Sequence, residues 1–283
     1  IKGDKLVYGG LAGTIAKGAT ITNCWFDGQM ILGEKGGWAG GIVGSIQGGS
    51  KATIENTLST GAISSKYKSS PSIGGICGNI SGDKTTVTIT DSLSSGTIDC
   101  KAASETGSFI GHVADKTILT IKDTYATSET FKSVMGGKKG DITGTCYKLE
   151  SNVISGINGY RFTTLNFKNY WSAIENSTPV LKAFAGSGLN VTNVAKMVDT
   201  SWYKADKKVY ELKDVQDLYG FAILSQGTDF KDKTVKLSNS IVINDGAAAG
   251  YAINAPENVW VPISKFAGTF DGQGHTISGL YIS

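Results

Sequence analysis

Short apolar strands separated by glycine turns fill the first 125 residues, and their pattern returns every 31 to 35 residues. Each period opens with a glycine pair (Gly-Ser in the fourth), two apolar residues and a further glycine. It continues with a Thr-Ile strand that ends on an amide or an acid. The opening blocks lie at residues 9–13, 40–44, 74–78 and 107–111. A period of this length, built from short strands, predicts a β-solenoid.

Stacking one period on the next aligns the apolar positions into inward-facing columns. Equivalent strands of successive coils are expected about 4.8 Å apart along the axis. One predicted column contains the isoleucines of the Thr-Ile strands, namely Ile21, Ile54, Ile89 and Ile121. A second contains the first apolar residue of each opening block, namely Leu11, Ile42, Ile76 and Phe109.

An amide or acid at the end of each Thr-Ile strand marks a predicted corner: Asn23, Asn56, Asp91 and Asp123. Asn and Asp side chains hydrogen-bond to nearby backbone in turns, whereas clustered acids bind calcium. The column mixes amides with acids, and no second acidic column lies beside it. We therefore expect a stacked ladder of turn hydrogen bonds rather than a calcium corner. The glycines are expected to supply tight corners, by positive φ or by close backbone approach.

The chain after the fourth period has a different pattern. A shorter turn at 140–147 leads to an irregular terminal coil at 170–182, which ends in a proline stop. Residues 183–201 have the composition of a linker, and residues 211–225 have the apolar spacing of an amphipathic helix. Further strands and patterned sequence follow at 234–237, 240–243 and 266–283.

Composition and charge narrow the class of protein. The 38 glycines stand against only four prolines and recur at fixed phase, which indicates ordered turns rather than a flexible linker. A formal charge of +3 and a single arginine, Arg161, argue against nucleic acid as a partner. We find neither a transmembrane pattern nor a signal-peptide pattern. Because patterned sequence runs to both ends, we expect a piece excised or processed from a longer protein.

The four cysteines do not indicate a metal centre. Cys24 and Cys77 occupy column positions, whereas Cys100 and Cys146 fall outside the predicted columns and could pair or stay free. No Cys-x-x-Cys element and no neighbouring histidine suggests zinc. We expect small buried thiols and no metal or cofactor.

Candidate catalytic residues are few. His112 follows the fourth opening block and His275 lies near the C-terminal end, so both are expected in turns or grooves. Asp271 and His275 could form an acid-base pair, as in β-helix enzymes that cleave polysaccharides, but no acidic cluster accompanies them. We therefore expect no enzyme activity, and a polysaccharide-active enzyme is the least favoured alternative.

The repeated phrases resemble the GLUG-motif repeats of bacterial cell-surface proteins. The resemblance rests on the Gly-Gly-Ile-Val-Gly blocks with Thr-Ile-x-Asn and Gly-x-Ile, and on residues 270–277, Phe-Asp-Gly-Gln-Gly-His-Thr-Ile. It covers roughly residues 1–185 and 200–283. It implies an all-β, right-handed parallel β-helix with one short capping helix, located extracellularly at the bacterial surface or secreted.

The order of the motifs departs from that family. In similar proteins the tryptophan and helix segment and the Phe-Asp-Gly phrase precede the repeats, whereas here they follow them. We therefore predict a β-helix in two parts in circularly permuted order. Residues 1–185 form its C-terminal part with four repeats and the closing segment, residues 186–201 a linker, and residues 202–283 its N-terminal part.

Two complementary open solenoid ends in one chain predict self-association. We expect the C-terminal strands of one molecule to stack on the N-terminal coil of the next, giving a head-to-tail filament. The predicted contacts are apolar residues of both ends, namely Val7, Leu11, Ile15, Phe270, Ile277, Leu280 and Ile282. Two alternatives are the same contact made covalently in a tandem array, and a linker that lets one molecule close its own helix.

A second class of function is adhesion. Aromatic side chains that are exposed on a solenoid can stack on sugars. Trp25, Trp38 and Tyr67 are the candidate residues for binding a glycan or host protein.

Overall fold

The computed structural model describes residues 1–3, 6–34, 37–66, 71–100, 105–127, 133–191, 194–251, 253–263 and 265–282. Nearly all of its regular structure is strand, and the strands of successive periods stack in parallel. The predicted all-β parallel solenoid in two parts, with a short helix in the second part, is confirmed.

The first part contains five coils. Residues Lys2–Gly3 (β1) precede them. Coil 1 comprises β2 (Val7–Gly9), β3 (Ala12–Ile15), β4 (Gly18–Phe26) and β5 (Gln29–Leu32). Coil 2 comprises β6 (Trp38–Gly40), β7 (Val43–Ile46), β8 (Lys51–Ser59) and β9 (Ala62–Ser65). Coil 3 comprises β10 (Ser72–Gly74), β11 (Cys77–Ile80), β12 (Thr85–Ser94) and β13 (Thr97–Cys100). Coil 4 comprises β14 (Glu105–Gly107), β15 (Ile110–Val113) and β16 (Thr117–Ala126), and coil 5 comprises β17 (Met135–Lys138), β18 (Asp141–Thr143) and β19 (Cys146–Lys148).

Equivalent strands of the coils form four parallel sheets. Sheet A has the order β1-β5-β9-β13 and sheet B the order β14-β10-β6-β2. Sheet C has the order β17-β15-β11-β7-β3, and sheet D the order β18-β16-β12-β8-β4, with β19 also paired to β16. The chain passes through sheets B, C, D and A in turn, so coils 1 to 3 each add one strand to every sheet. In the described residues coil 4 adds strands to sheets B, C and D, and coil 5 adds strands to sheets C and D. Every strand pairing in these four sheets therefore joins successive turns of the chain, and each coil depends on its neighbours.

The predicted apolar columns are confirmed by the strand register. Ile21 pairs with Ile54, Ile54 with Ile89 and Ile89 with Ile121. Ile54 and Ile89 are fully buried. In the second column the amide of each residue donates to the carbonyl of its counterpart one coil later, as in Leu11 N to Ile42 O at 3.1 Å. All of these side chains except Leu11 are buried in the core of the solenoid.

We expected glycine both to turn the corners by positive φ and to allow close backbone approach. In the structure these two roles belong to different residues. The corner residues Asn23, Asn56, Asp91 and Asp123 all adopt positive φ, between 48° and 54°. The described glycines of the opening blocks do not, but they allow close approach of backbones. A Cβ at Gly44 would lie 2.4 Å from the carbonyl oxygen of Tyr8 in the preceding coil. Glycine is needed there because any side chain would push two coils apart.

The shorter turn predicted at 140–147 belongs to a fifth coil, because β18 and β19 continue sheet D beside β16. The prediction of an irregular coil with a proline stop at 170–182 was wrong. These residues form an antiparallel hairpin of β20 (Trp171–Ile174) and β21 (Ser177–Leu181), with Pro179 inside β21. A short helix, α1 (Asn158–Phe162), precedes the hairpin. This closing segment lies along the side of the solenoid, where Trp171 belongs to the same buried cluster as Leu58, Leu93 and Tyr125.

The second part contains three rungs and one longer helix. Its elements are β22 (Val209–Leu212), α2 (Val215–Leu224), β23 (Thr234–Leu237), β24 (Ile241–Val242), a 3₁₀ turn (Ala248–Gly250), β25 (Thr269–Asp271) and β26 (Ile277–Ser278). Strands β22, β23 and β25 form one parallel sheet, and β24 and β26 form another.

The helix is shorter than the predicted 211–225. Glu211 and Leu212 belong to β22, and the helix begins after Asp214, whose extended backbone and side chain cap it. The Asp214 carboxylate accepts a hydrogen bond from the amide of Asp217. This side-chain bond replaces a helical partner at the first turn and sets the start of α2. The helix is buried almost all round, from residue 217 to 223.

One hydrophobic core joins the two parts. Phe162 of α1 stacks on Tyr219 of α2 with ring centroids 4.6 Å apart. Arg161 reaches the side chains of Asn258 and Glu257 across the same boundary. The C-terminal strands β25 and β26 do not pair with sheets A to D in the described residues. The structure therefore does not have the arrangement in which one molecule closes its own helix.

The segment predicted as a linker is held against this core. Met197 and Val198 are buried, and the amide of Met197 donates to the carbonyl of Arg161 at 3.1 Å. The ammonium of Lys196 donates to the carbonyl of Tyr160 and lies over its ring. Burial lowers the pKa of Lys196 to about 8.

No helix among the described residues is long and apolar enough to cross a membrane.

Candidate assembly site

The first coil presents an apolar column position to solvent. Leu11 is 56% exposed, whereas its counterpart Ile42 in coil 2 is 1% exposed. Ile76 and Phe109, the next two members, are fully buried. All four sit in the same block of the repeat. A preceding coil is therefore what covers this position in the interior of the solenoid.

The third glycine of the opening block shows that the backbone of coil 1 is also uncovered. A Cβ at Gly44, Gly78 or Gly111 would lie within 2.5 Å of a backbone carbonyl oxygen of the preceding coil. A Cβ at Gly13, the equivalent position in coil 1, would meet no atom within 4 Å. Among the described residues, no strand pairs with the outer side of β3 or β4. The outer face of coil 1 is an open sheet edge.

The end of the second part is open in the same way. Phe270 of β25 is 39% exposed, whereas Val235, its partner in β23, is fully buried. Leu280 and Ile282, which follow β26, are also exposed. The inner side of Phe270 stacks on Phe221 of α2 with centroids 5.9 Å apart. One face of this rung is thus packed and the other carries apolar side chains toward solvent.

The last rung follows the local pattern of the coils. Thr276-Ile277-Ser278 precedes Gly279, as Thr20-Ile21-Thr22 precedes Asn23. Gly279 has φ +73° and Asn23 has φ +54°, so both turn the chain at the same point of the phrase. Ile277 pairs with Ile241 of the preceding rung, as the column isoleucines pair in sheet D. The open rung of the second part is therefore of the same kind as the coils of the first.

No protein family, curated protein or solved structure matches this chain. The structure alone thus defines what the two open ends can do.

The predicted contact residues lie at both open ends but differ in burial. Leu11, Phe270, Leu280 and Ile282 are exposed, whereas Ile15 is already buried inside coil 1. Val7 and Ile277 are half-buried.

Sequence reasoning missed Leu6 and Ile1, which are exposed beside the same edge. It also missed Gly13, because that glycine has the same sequence signal as its buried counterparts. Only Leu6 had a usable signal, as an apolar residue directly before Val7.

The aromatic residues proposed for ligand binding are not all available. The Trp25 indole donates to the Thr60 hydroxyl at 2.7 Å, and its ring packs on Phe184 with centroids 5.5 Å apart. Trp38 is 40% exposed, but it lies in sheet B and Trp25 in sheet D. Tyr67 lies outside the described residues. The structure does not bring the described pair together on one strand ladder.

The two histidines lie in different parts of the fold. His112 of β15 places its Nδ1 atom 3.3 Å from the Glu105 carboxylate, which also accepts from the Ser72 hydroxyl at 2.8 Å. The amide of His275 donates to the carbonyl of Gly272 in the turn between β25 and β26. In that turn the Asp271 carboxylate accepts from the amide of Gln273 at 3.1 Å. Asp271 and His275 thus both take part in holding one turn.

The cysteines all occupy strand positions. The prediction that Cys100 and Cys146 fall outside the columns was wrong, because Cys100 pairs with Ser65 in sheet A and Cys146 with Thr124 in sheet D. None of these four described cysteines is in a disulfide. No group of three or more His, Cys, Asp or Glu is placed to hold a metal ion in the described part of the chain.

The acidic corners hold the closing segment. The Asp123 carboxylate accepts from the Thr164 hydroxyl at 2.6 Å, and the Asp91 carboxylate from the amide of Asn166 at 2.8 Å. Burial raises the pKa of Asp91 to about 6, and the nearby Asp123 carboxylate adds to the shift. These two members of the predicted ladder therefore bond across to another segment, in addition to turning the chain.

Proposed function

We propose that this protein is a non-catalytic structural element of the bacterial surface that assembles head to tail. Strands β25 and β26 of one copy stack on coil 1 of the next, or the same contact joins successive modules of a tandem array. The observation that carries the proposal is the uncovered column position of coil 1, with Leu11 at 56% exposure against 1% for Ile42. The extracellular location rests on the resemblance to GLUG-motif repeats.

The geometry of such a contact favours an open assembly. The two faces are made by different elements, so the contact is heterologous, and heterologous contacts produce filaments unless the rotation closes a ring. In the described residues no strand pairs with the outer edges of β3, β4, β25 and β26, and a partner strand would satisfy the backbone groups there. Stacked repeats gain most of their stability from such interfaces between neighbours.

Burial of the exposed apolar side chains is the main driving force we expect. Leu11 on one face and Phe270, Leu280 and Ile282 on the other are exposed in the single chain. Complete burial of one such side chain contributes about 1.5–3 kcal/mol, before the cost of association is subtracted. We therefore expect assembly to depend on concentration rather than to be irreversible.

Light scattering coupled to size exclusion tests the proposal directly. The expected result is a mass that rises with protein concentration through a series of oligomers, and elongated particles in electron micrographs. A strictly monomeric protein at all concentrations would overturn the filament.

A single glycine separates assembly from folding. In Gly13→Ala the new Cβ meets open space in the isolated chain. In the assembly it would meet a backbone carbonyl of the strand added to sheet C, as a Cβ at Gly44 would lie 2.7 Å from the carbonyl oxygen of Gly13 in β3. We expect Gly13→Ala to keep the thermal midpoint of the monomer and to lose the larger species. Gly44→Ala is the matched control, since it should lower the thermal midpoint itself. Undiminished assembly of Gly13→Ala would contradict stacking on coil 1.

A further inference from the structure

We infer that the joint between two copies is a composite coil, built from both chains in a fixed register. The C-terminal rung of one copy supplies its strands in sheets C and D, and the first three residues of the next copy supply its strand in sheet A. This inference rests on the proposed head-to-tail assembly and adds the register to it.

The first observation is that sheet A extends one strand further than its neighbours. Strand β1 pairs with β5 on its outer side, with Lys2 opposite Ile31 and Gly3 opposite Leu32. The amide of Ile31 also donates to the carbonyl of Ile1 at 2.8 Å. The level before coil 1 is thus occupied in sheet A, whereas β3 and β4 carry no outer partner in the described residues.

The second observation is that the C-terminal rung contains the missing pieces in the right order. Strand β25 is followed by a turn with positive φ at Gln273 and Gly274, and then by β26. In the coils, a strand of sheet C is likewise followed by a turn and a strand of sheet D. Placed on coil 1, β25 would extend sheet C beyond β3 and β26 would extend sheet D beyond β4. The composite coil then has strands in sheets A, C and D.

The corner fixes the register. Positive-φ residues stack on one another in the coils, since Asn23, Asn56, Asp91 and Asp123 all follow the Thr-Ile phrase by the same spacing. Gly279 is the positive-φ residue of the last rung. Placing Gly279 on Asn23 sets Ile277 on Ile21, which continues the isoleucine column. A shift by one residue would turn the apolar side chains to the opposite face.

The same register places Leu280 on Cys24. The column that contains Cys24 continues through Thr57, Ser92, Thr124 and Cys146. Its side chains face one another, because the Thr57 hydroxyl lies 3.1 Å from the Ser92 hydroxyl. Neighbouring strands lie about 4.8 Å apart, within the range of about 4.4–6.8 Å between the Cα atoms of a disulfide. A thiol at position 280 would therefore meet the free thiol of Cys24 in the next copy.

Disulfide trapping tests this register. Leu280→Cys is concentrated under mild oxidation and analysed by non-reducing electrophoresis, with peptide mapping by mass spectrometry. We expect a ladder of covalent oligomers that disappears on reduction, linked between position 280 and Cys24. The double variant Leu280→Cys with Cys24→Ser should show no such ladder, and serine already occupies this column at Ser92. Tyr281→Cys, whose side chain alternates to the other face, should not link to Cys24.

Each other outcome has a distinct meaning. Oligomers that form without the link to Cys24, or that link through Tyr281→Cys instead, would overturn the register and leave head-to-tail assembly in place. An intramolecular link in a monomer would show that one chain closes on itself, which overturns the composite coil. A protein that stays monomeric and unlinked at all concentrations would overturn both proposals.

Discussion

Coil 1 and coil 3 carry the same glycine phrase, yet the same positions have different surroundings in the two coils. Ile76 of coil 3 is buried and Leu11 of coil 1 is exposed. A Cβ at Gly78 would lie 2.5 Å from the carbonyl oxygen of Gly44, whereas Gly13 faces open space. The difference teaches that burial in this fold is a property of neighbouring coils and is not contained within one repeat.

Because each coil is covered by its neighbours, an end coil is held on one face and can bind a further coil on the other. Coil 2 pairs with the strands of coil 1 through β6, β7, β8 and β9. On the opposite face of coil 1, β1 pairs with β5, and in the described residues no strand pairs with β2, β3 or β4. The backbone groups and apolar positions of that face would accept a further coil. Repeat proteins generally need terminal caps for this reason. Substitutions at equivalent positions of coil 1 and of an interior coil therefore test most directly whether burial depends on the neighbouring coils.

The largest difference in unfolding free energy is expected when the column of Leu11, Ile42, Ile76 and Phe109 is truncated in coil 3 and in coil 1. Ile76→Ala should lower the free energy of unfolding by about 2–5 kcal/mol, because it leaves a cavity in a closed core. Leu11→Ala should change it by no more than about 0.5 kcal/mol in a dilute monomer, because the side chain is already exposed. Urea unfolding below the concentration of assembly measures both. Equal losses in the two variants would mean that coil 1 is covered by something else.

Much of the first part of the fold could be predicted from sequence because its contacts are periodic. Residues that occupy equivalent positions in successive periods are the residues that touch, as Ile54 and Ile89 do. The repeat spacing alone was enough to predict the two apolar columns. The fifth coil could be predicted only as a shorter turn, because residues 141–148 keep the strands but lose the glycine phrase.

The contacts without a period could not be predicted. Asp91 bonds to Asn166, which is 75 residues away in a segment that has no repeat. The start of α2 was misplaced because Leu212 continues the apolar spacing of the helix although it belongs to β22. The exposed residues of the assembly site were predicted from the columns, but the contrast between Gly13 and Gly44 depends on what lies outside coil 1.

A smaller effect is expected at the corners, where coil 1 and the interior coil 2 should behave alike. Ala at position 56 or 23 keeps the Cβ in left-handed backbone without the polar side chain that lets Asn adopt it, whereas Gly has no Cβ. The Ala variant should be less stable than the Gly variant by about 1 kcal/mol at each position. Because this strain is local, the Ala-minus-Gly difference should not depend on the coil. Thermal unfolding of the four variants measures it, and a much larger difference at Asn56 would show that neighbours also restrict the corner.

The smallest effect concerns Asp91, the corner of coil 3 that the closing segment covers. Its pKa in the folded protein is about 6, above its ordinary value of 3.8, chiefly because of burial. The folded state therefore binds the proton of the Asp91 carboxyl more tightly than the unfolded state does. The stability that this protonation contributes is present below pH 4 and is lost as the pH rises through 6. Asp91→Asn keeps an acceptor for the amide of Asn166 and cannot ionise. We expect its thermal midpoint to rise relative to the wild type between pH 4 and 7 by about 2 °C, since partial exposure screens the charge. A difference between the two proteins that stays constant with pH would show that the carboxylate at this corner is not strained by burial, and that the corner of coil 3 is as open to water as that of coil 1.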